Sequence, residues 1–308
     1  MEETKVLLDD SMFEKLDDSE KNTEFIAMES KTYLQDAWRC FKKNKLALGG
    51  LVFLSIMILL AIFVPMVSPY TYDAQDLDLR NALPSASHLL GTDKLGRDIL
   101  VRLMFGARIS LAVGFVAAFL NLIIGVVYGG ISGFVGGKVD MVMMRIVDII
   151  YSLPDTLMVI LLSVVLNQVL GNALKGTILA QVGTNMLSLF VVFGLLYWVS
   201  MARLVRGQIL SIKTNEYVLA ARALGAKPGR IIRKHILPNC ISVIFISVAL
   251  QIPSAIFTES FLSFIGLGVQ APMPSLGALA NAARGALGSY PHKLIFPAAA
   301  LYIMIWEI

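Results

Sequence analysis

The stretch LALGGLVFLSIMILLAIFVPMVSPYTY, residues 46–72, carries no charged side chain and decides the fold class. About 20 apolar residues, rising 1.5 Å each, cross a hydrocarbon core of about 30 Å. This stretch has more than enough. Comparable uncharged runs occupy residues 109–137, 156–174, 176–202 and 236–258. Five membrane helices follow, with a sixth candidate beginning at Leu294. That one reaches the last residue, Ile308, before it is long enough to span, so the last helix is expected to be short or incomplete. The uncharged segment 260–283 is interrupted by Gly266, Gly268, Pro272, Pro274 and Gly277 and reads as a loop or re-entrant segment. The expected class is all-α, a polytopic membrane bundle of about six helices.

Composition agrees. The 308 residues are 56% hydrophobic and 16% charged, with a mean hydropathy of +0.72, against roughly 25% charged in a soluble domain. The charge is unevenly spread. Residues 1–36 hold 11 of the 22 acids and only four lysines, leaving 22 Lys/Arg against 11 acids over residues 37–308. So acidic and aromatic-poor a leader cannot bury enough apolar surface to fold alone, and it precedes the first apolar run by too much for a signal peptide. It is expected to be a mobile cytoplasmic tail. Residues 37–107 then hold the first membrane helix, about 46–67, and an outer segment. The remainder, 108–308, forms the core. Threading the helices with the N-terminus inside puts 18 of the 26 Lys/Arg on inner segments, as the positive-inside bias requires. The implied location is a cell membrane.

The inner loop, 203–238, reads Glu216-Tyr217-Val218-Leu219-Ala220-Ala221-Arg222-Ala223-Leu224-Gly225-Ala226-Lys227-Pro228-Gly229-Arg230 at its centre and ends at Pro238. Helix formers run to Leu224, Gly225 suits a left-handed end-cap, and Pro228-Gly229 turns the chain into a second, basic helix. Val218, Ala221 and Leu224 would share an apolar stripe. A contact face of Ala and Leu beside Tyr217 and Arg222 has too little bulk for its own core and suits a partner's groove. The alternative is a plain connector whose basic residues set topology and touch anionic headgroups.

This segment resembles the E-A-A loop of ATP-binding-cassette importer permeases, matching at Ala220, Ala221, Gly225, Leu237 and Pro238. Leu219 stands at the pattern's Glu and His235 at its Ile. The extended form is similar to that of the oligopeptide and dipeptide subgroup. So are Gly91-Thr92-Asp93-Lys94-Leu95-Gly96-Arg97-Asp98, resembling a segment of that subgroup's C-type subunits, and Glu259-Ser260-Phe261-Leu262-Ser263-Phe264-Ile265-Gly266-Leu267-Gly268. Leu276 departs from the usual Trp, and the usual C-terminal tail is missing.

The resemblance, over about residues 33–303, implies the importer-permease fold and a peptide substrate, with nickel or another chelated metal, or a small solute, as the alternative cargo. It implies a second homologous permease, two ATPase subunits using ATP and Mg, and an extracytoplasmic solute-binding protein. Glu216, Tyr217, Ala220, Ala221, Arg222, Leu224, Gly225, Ala226 and Pro238 would couple the ATPases to the membrane helices.

Other residues bound the chemistry. The nearest approach to a phosphate-binding loop, 132–139, has Ser132 where Gly is needed and Val139 where a hydroxyl is needed, so this chain should bind no ATP. His88, His235 and His292 are scattered, and Cys40 and Cys240 match no metal spacing. No catalytic residue, metal site or nucleic-acid partner is expected. Gly125, Gly129 and Gly133 recur every fourth residue, a small-residue ridge for helix packing in lipid. Asp148, Asp155 and Glu259 interrupt apolar surroundings at a cost of about 2.5–3.5 kcal/mol each on insertion scales, which makes them candidates for a translocation path. Asp148 and Asp155 are expected on one helix face, seven residues apart, opened by Pro154, with Arg145, Asn121 or Gln251 as hydrogen-bond partners. The rival is a self-sufficient secondary carrier or channel using these three carboxylates.

Overall fold

A computed structural model describes residues 33–177 and 183–307. Of the acidic leader 1–36, residues 1–32 lie outside the described residues, and 33–36 open the first helix. The chain divides at Leu48 into a small N-terminal unit and a main unit from Gly49 onward. In the first unit, α1 (Tyr33–Lys43) stacks Trp38 on Phe41, ring centroids 5.7 Å apart, with Lys42 over the Trp38 ring at 5.3 Å. Asn44 follows, and its side-chain oxygen accepts from the amides of Leu46 and Ala47 at 3.2 Å each, which caps the start of α2 (Lys45–Val67).

The main unit contains the rest of α2, then α3 (Ile99–Val135), α4 (Gly137–Tyr151), α5 (Asp155–Ala173), α6 (Thr184–Leu196) and α7 (Trp198–Ile212). It closes with α8 (Glu216–Ala223), α9 (Pro228–Ile231), α10 (Leu237–Phe264), α11 (Leu276–Ala283) and α12 (His292–Glu307). No strand occurs among the described residues, which hold one isolated bridge, Thr92 to Asp98. Among the described residues, five segments are long and apolar enough to cross a membrane: α2, α3, α5, α6 with α7, and α9 through α10. These correspond to the five uncharged runs. Leu59, Phe63, Phe119, Val127, Leu161, Phe245 and Phe257 lie on their outer faces, exposed. Such a surface would aggregate in water and is what lipid requires.

The core forms around α3, whose 37 residues extend about 55 Å at 1.5 Å per residue. Toward its N-terminal half, Leu103, Ala107, Leu111 and Ala118 pack with Ile252 and Ile256 of α10, Ala61 of α2 and Met304 of α12. Farther along, α7 lies against the glycine ridge. A Cβ on Gly125 would fall 2.5 Å from the Met201 side chain, and one on Gly133 would fall 3.0 Å from the Arg206 carbonyl oxygen. At Gly129 it would collide with the Ala202 backbone. The glycines therefore let two helix backbones approach where side chains would hold them apart.

The first residues of the expected inner loop, 203–212, are helical as the end of α7, which carries Arg203 and Arg206. One expectation needs correction. Asp148 and Asp155 do not share a helix: α4 ends at Tyr151 and α5 starts at Asp155, since Pro154 lacks the amide to continue the ladder. The segment 260–283, expected to be a loop or re-entrant segment, is interrupted as expected and helical at both ends. Its first residues finish α10, its last eight form α11, and Gly266 at φ +88° turns the chain between them.

The segment between α2 and α3 gives the Gly91–Asp98 motif a structural meaning. Asp93 accepts from the Leu95 amide at 2.8 Å, the Arg97 amide at 3.1 Å and Arg97 Nε at 2.8 Å. Burial works to raise its pKa, but these hydrogen bonds outweigh that and hold the carboxyl below the usual range. Thr92 accepts from the Ala82 amide and donates to the Leu79 carbonyl. Gly96, at φ +73°, passes so close to the Asp76 backbone that no Cβ fits. Asp98 then caps α3 through the Val101 amide at 2.8 Å and pairs with His88 Nδ1 at 2.8 Å.

Candidate functional site

At the far end of α3 from Asp98, α8 to α10 build a small projecting surface. Val218 of α8 is fully buried with Ile209 and Ile212 of α7, Ile231 of α9, and Ile236 and Cys240. This one anchor fixes the helix. The end of α8 is a Schellman turn: the Ala226 amide donates to the Ala221 carbonyl at 3.1 Å and the Gly225 amide to that of Arg222 at 3.0 Å. The left-handed position falls on Gly225, φ +78°. Lys227 then precedes Pro228 at the first position of α9, where the missing amide costs nothing. A π-helical turn, Ile232–Ile236, delivers the chain into α10 with Pro238 in its first turn.

With Val218 turned inward, most of the motif faces out. Leu224 is 88% exposed, Tyr217 and Leu219 are exposed, and Glu216, Ala220 and Arg222 lie on the surface beside them. Arg222 is 5.8 Å from the Phe134 ring centroid. The expected stripe of Val218, Ala221 and Leu224 is thus divided. Leu224 lies past the last helical residue, so the 3.6-residue period no longer sets its direction.

The three acids go to three different environments. Asp148 accepts from Arg203 Nη2 at 2.6 Å, an exposed pair with the Arg203 guanidinium 4.1 Å from the Tyr151 ring centroid. Neither Arg145, Asn121 nor Gln251 takes that role. Asp155 opens α5 on the wall of a half-open cleft of about 460 Å³, shared with Tyr197, Ser200, Gln251 and Ser254. Gln251 Oε1 is buried there without a hydrogen bond. Glu259 lies elsewhere, 0% exposed, accepting from Ser110 at 2.8 Å, Ser263 at 2.7 Å and Ser260 at 3.2 Å. Ser110 is on α3, so this carboxylate ties two long helices together. In this chain its carboxyl is enclosed by the packing of α3 and α10.

One cluster has no signal in the sequence. Asp140 of α4 accepts from Arg206 Nε at 2.7 Å and Nη2 at 2.6 Å, and from Ser132 of α3 at 2.5 Å. The side-chain hydrogen bond from Arg206 holds the Asp140 carboxyl below its ordinary pKa, outweighing burial. Residues 66 positions apart form this pair, beyond the reach of helical periodicity.

The architecture is matched by known proteins. The family model described as "binding-protein-dependent transport system inner membrane component" matches residues 121–306. The chain belongs to that family. The N-terminal TM domain of oligopeptide transport permease C also matches, over residues 32–84. Among relatives of this transport component, the dipeptide transport system permease protein DppC of Bacillus subtilis (strain 168) is 46% identical over 91% of this chain and 83% of its own. The oligopeptide transport system permease protein OppC of the same organism is 44% identical over 96% and 92%, and that of Escherichia coli (strain K12) 39% over 93% and 90%. An inward-facing structure of the MetNI methionine ABC transporter shares the fold, with TM-score 0.52 and 21% identity over 67% of this chain and 90% of that one. This inner membrane component is therefore a multi-pass, membrane-embedded permease subunit with an ABC-importer fold. The family works with other subunits, and the permease is not itself the ATPase.

Proposed function

We propose that this chain is a permease subunit for oligo- or dipeptides, paired with a second, homologous permease and driven by two ATPase subunits that bind ATP and Mg. An extracytoplasmic solute-binding protein delivers the peptide. The observation that carries the reading is the α8 surface: one buried anchor, Val218, presents an otherwise exposed helix that ends in the strongly exposed Leu224. A helix so placed leaves apolar area at Tyr217, Leu219 and Leu224 uncovered by the described residues. Peptide-transport names among relatives at 39–46% identity over nearly the whole chain support the substrate class.

In this reading α8 is cytoplasmic, the N-terminus and the acidic leader 1–36 lie on the same side, and Glu216, Tyr217, Ala220, Ala221, Arg222, Leu224, Gly225, Ala226 and Pro238 form or fix the docking contact. The Lys/Arg bias supports this orientation. Closure of the ATPases moves α8, and the tightly packed α7 and α10 carry that movement into the membrane. The cleft beside Asp155 opens toward the second permease and forms part of the path.

The test is reconstitution of the two permeases and two ATPase subunits in liposomes, with ATP and Mg enclosed in the lumen and the binding protein and peptide added outside. Uptake of a labelled dipeptide is expected to require ATP, the binding protein and both permeases. Uptake by this chain alone under an ion gradient would overturn the reading.

A further inference from the structure

The end of α3 near Asp98 carries a cavity of about 380 Å³, open on one side, that the permease reading does not use. Leu279, Ala282, Ala283 and Ala286 line an apolar wall. Opposite them lie two cations that the chain has withdrawn from solvent, Arg102 at 5% and Lys293 at 6% exposure. Arg102 donates from Nη1 to the Tyr72 carbonyl at 2.6 Å, while its buried Nε makes no hydrogen bond. The nearest carboxylate oxygen to that Nε, Asp93 Oδ2, is 3.7 Å away and is already engaged by Arg97 Nε at 2.8 Å and Nη2 at 2.7 Å. Lys293 gives one proton to Asn81 Oδ1 at 2.6 Å and lies 4.3 Å from the Tyr290 ring centroid.

The charges do not balance. The exposed Lys94 and the buried Arg102 and Lys293 line the cavity with one lining carboxylate, Asp93, which Arg97 engages directly, while Asp73 acts on Arg102 from outside the lining. An adjoining cavity shares Lys94, Ala282 and Gly285 and adds Arg284, so the imbalance extends outward. Burying an uncompensated cation costs several kcal/mol, and burial pushes the Lys293 ammonium below its usual pKa.

We propose that this cavity is a binding site for a small carboxylate, held between Arg102 Nε and Lys293 Nζ with its alkyl portion against Leu279 and Ala282. The planar guanidinium suits a carboxylate, and the apolar wall opposite suits the hydrocarbon that a carboxylate carries and a free phosphate lacks. The proposal rests on this geometry and not on the identity of the transported solute.

The experiment uses the full chain in phosphatidylcholine nanodiscs. Acetylation of Lys293 by an amine-reactive ester is followed by peptide mass spectrometry, with Lys138 and Lys227 as internal controls. Saturating N-acetylglycine is expected to slow acetylation at Lys293 by about tenfold or more, as ligand occupancy removes the free form, and to leave the controls unchanged. N-acetylglycinamide, which lacks the carboxylate, should leave Lys293 unprotected. Arg102→Gln should abolish the protection; if that variant fails to fold, the comparison of acid with amide in the natural chain still decides. Equal rates with and without the acid overturn the proposal, as does equal protection by the amide. Lys293 protected by phosphatidylglycerol discs and not by the acid would assign the cavity to a lipid phosphate instead, and the carboxylate site would be wrong.

Discussion

Arg206 holds Asp140 through two guanidinium nitrogens, Nε at 2.7 Å and Nη2 at 2.6 Å, and so fastens α4 to α7 where both meet Ser132 of α3. The pair is partly screened, Arg206 being about a third exposed and Asp140 more enclosed. Hydrogen bonds to charged groups are worth roughly 1.5–3 kcal/mol, and the low end applies at this exposure. Arg206→Met should therefore lower stability by about 1–2 kcal/mol, measured as a lower thermal midpoint in detergent.

The same pair sets an acid limit. Because Arg206 depresses the folded-state pKa of Asp140, the carboxylate contributes stability above its unfolded value, about 3.9. That contribution is lost as pH falls through the unfolded value toward the folded one. Asp93 is depressed in the folded state too and adds a loss of the same sign. Stability should fall below about pH 4, and Asp140→Asn should be less stable at pH 7 yet lose less between pH 5 and pH 3. A steeper acid loss in that variant would contradict the assignment.

Gly129 offers a packing test. A methyl group there meets the Ala202 backbone, which cannot rotate away as a side chain can. Gly129→Ala should force α3 and α7 apart and cost about 1–3 kcal/mol, the usual range for overpacking. Gly207→Ala is the control: nothing lies near its Cβ position, and the gain in helix propensity should raise stability by up to about 1 kcal/mol. The readout is the thermal midpoint of each variant in the same detergent.

How far the fold can be read in advance depends on the range of the interaction. Uncharged runs reveal the membrane helices because lipid penalises each charged residue locally, and Gly225-Ala226-Lys227-Pro228 reveals its turn because left-handed and proline geometries are properties of single residues. The break between Asp148 and Asp155 was marked by Pro154 but masked by the apolar character of both flanks. Glu259 is the harder case. An isolated acid in an apolar helix signals either a path or a polar knot, and the knot becomes visible only with the arrival of Ser110 from α3, together with Ser260 and Ser263 of its own helix. A pair such as Asp140 with Arg206 joins distant helices and leaves no periodic trace.

Glu259→Ala tests the knot. It removes the acceptor for three buried hydroxyls at once. At roughly 1–3 kcal/mol per unsatisfied buried group, and allowing that some hydroxyls find other acceptors, a loss of about 3 kcal/mol is expected. Glu259→Gln keeps one carbonyl acceptor and should lose less. Transport per folded molecule should be nearly unchanged in the Gln variant, since the Glu259 carboxyl is enclosed by the packing of α3 and α10. A large fall in transport at normal stability would return this residue to the translocation path.

Leu224 and Val218 separate docking from folding within the same short helix. Leu224 is 88% exposed, so Leu224→Glu removes little from this chain's own packing and should shift its stability by no more than about 0.5 kcal/mol, as for an ordinary surface substitution. In the assembled complex it places a charge in the proposed apolar contact. A coupling free energy of about 1–3 kcal/mol corresponds to a 5- to 150-fold effect, so transport-linked ATP hydrolysis and peptide uptake should both fall by about tenfold. Val218→Asp should behave in the opposite manner. Its carboxylate would be buried among Ile209, Ile231 and Ile236 without a partner, loosening α8 from α7 and α10 at a cost of several kcal/mol. Limited proteolysis distinguishes the two. Cleavage around 216–230 should be unchanged in Leu224→Glu and much faster in Val218→Asp. If Leu224→Glu leaves ATP-driven uptake intact, the docking surface has been placed on the wrong face of α8.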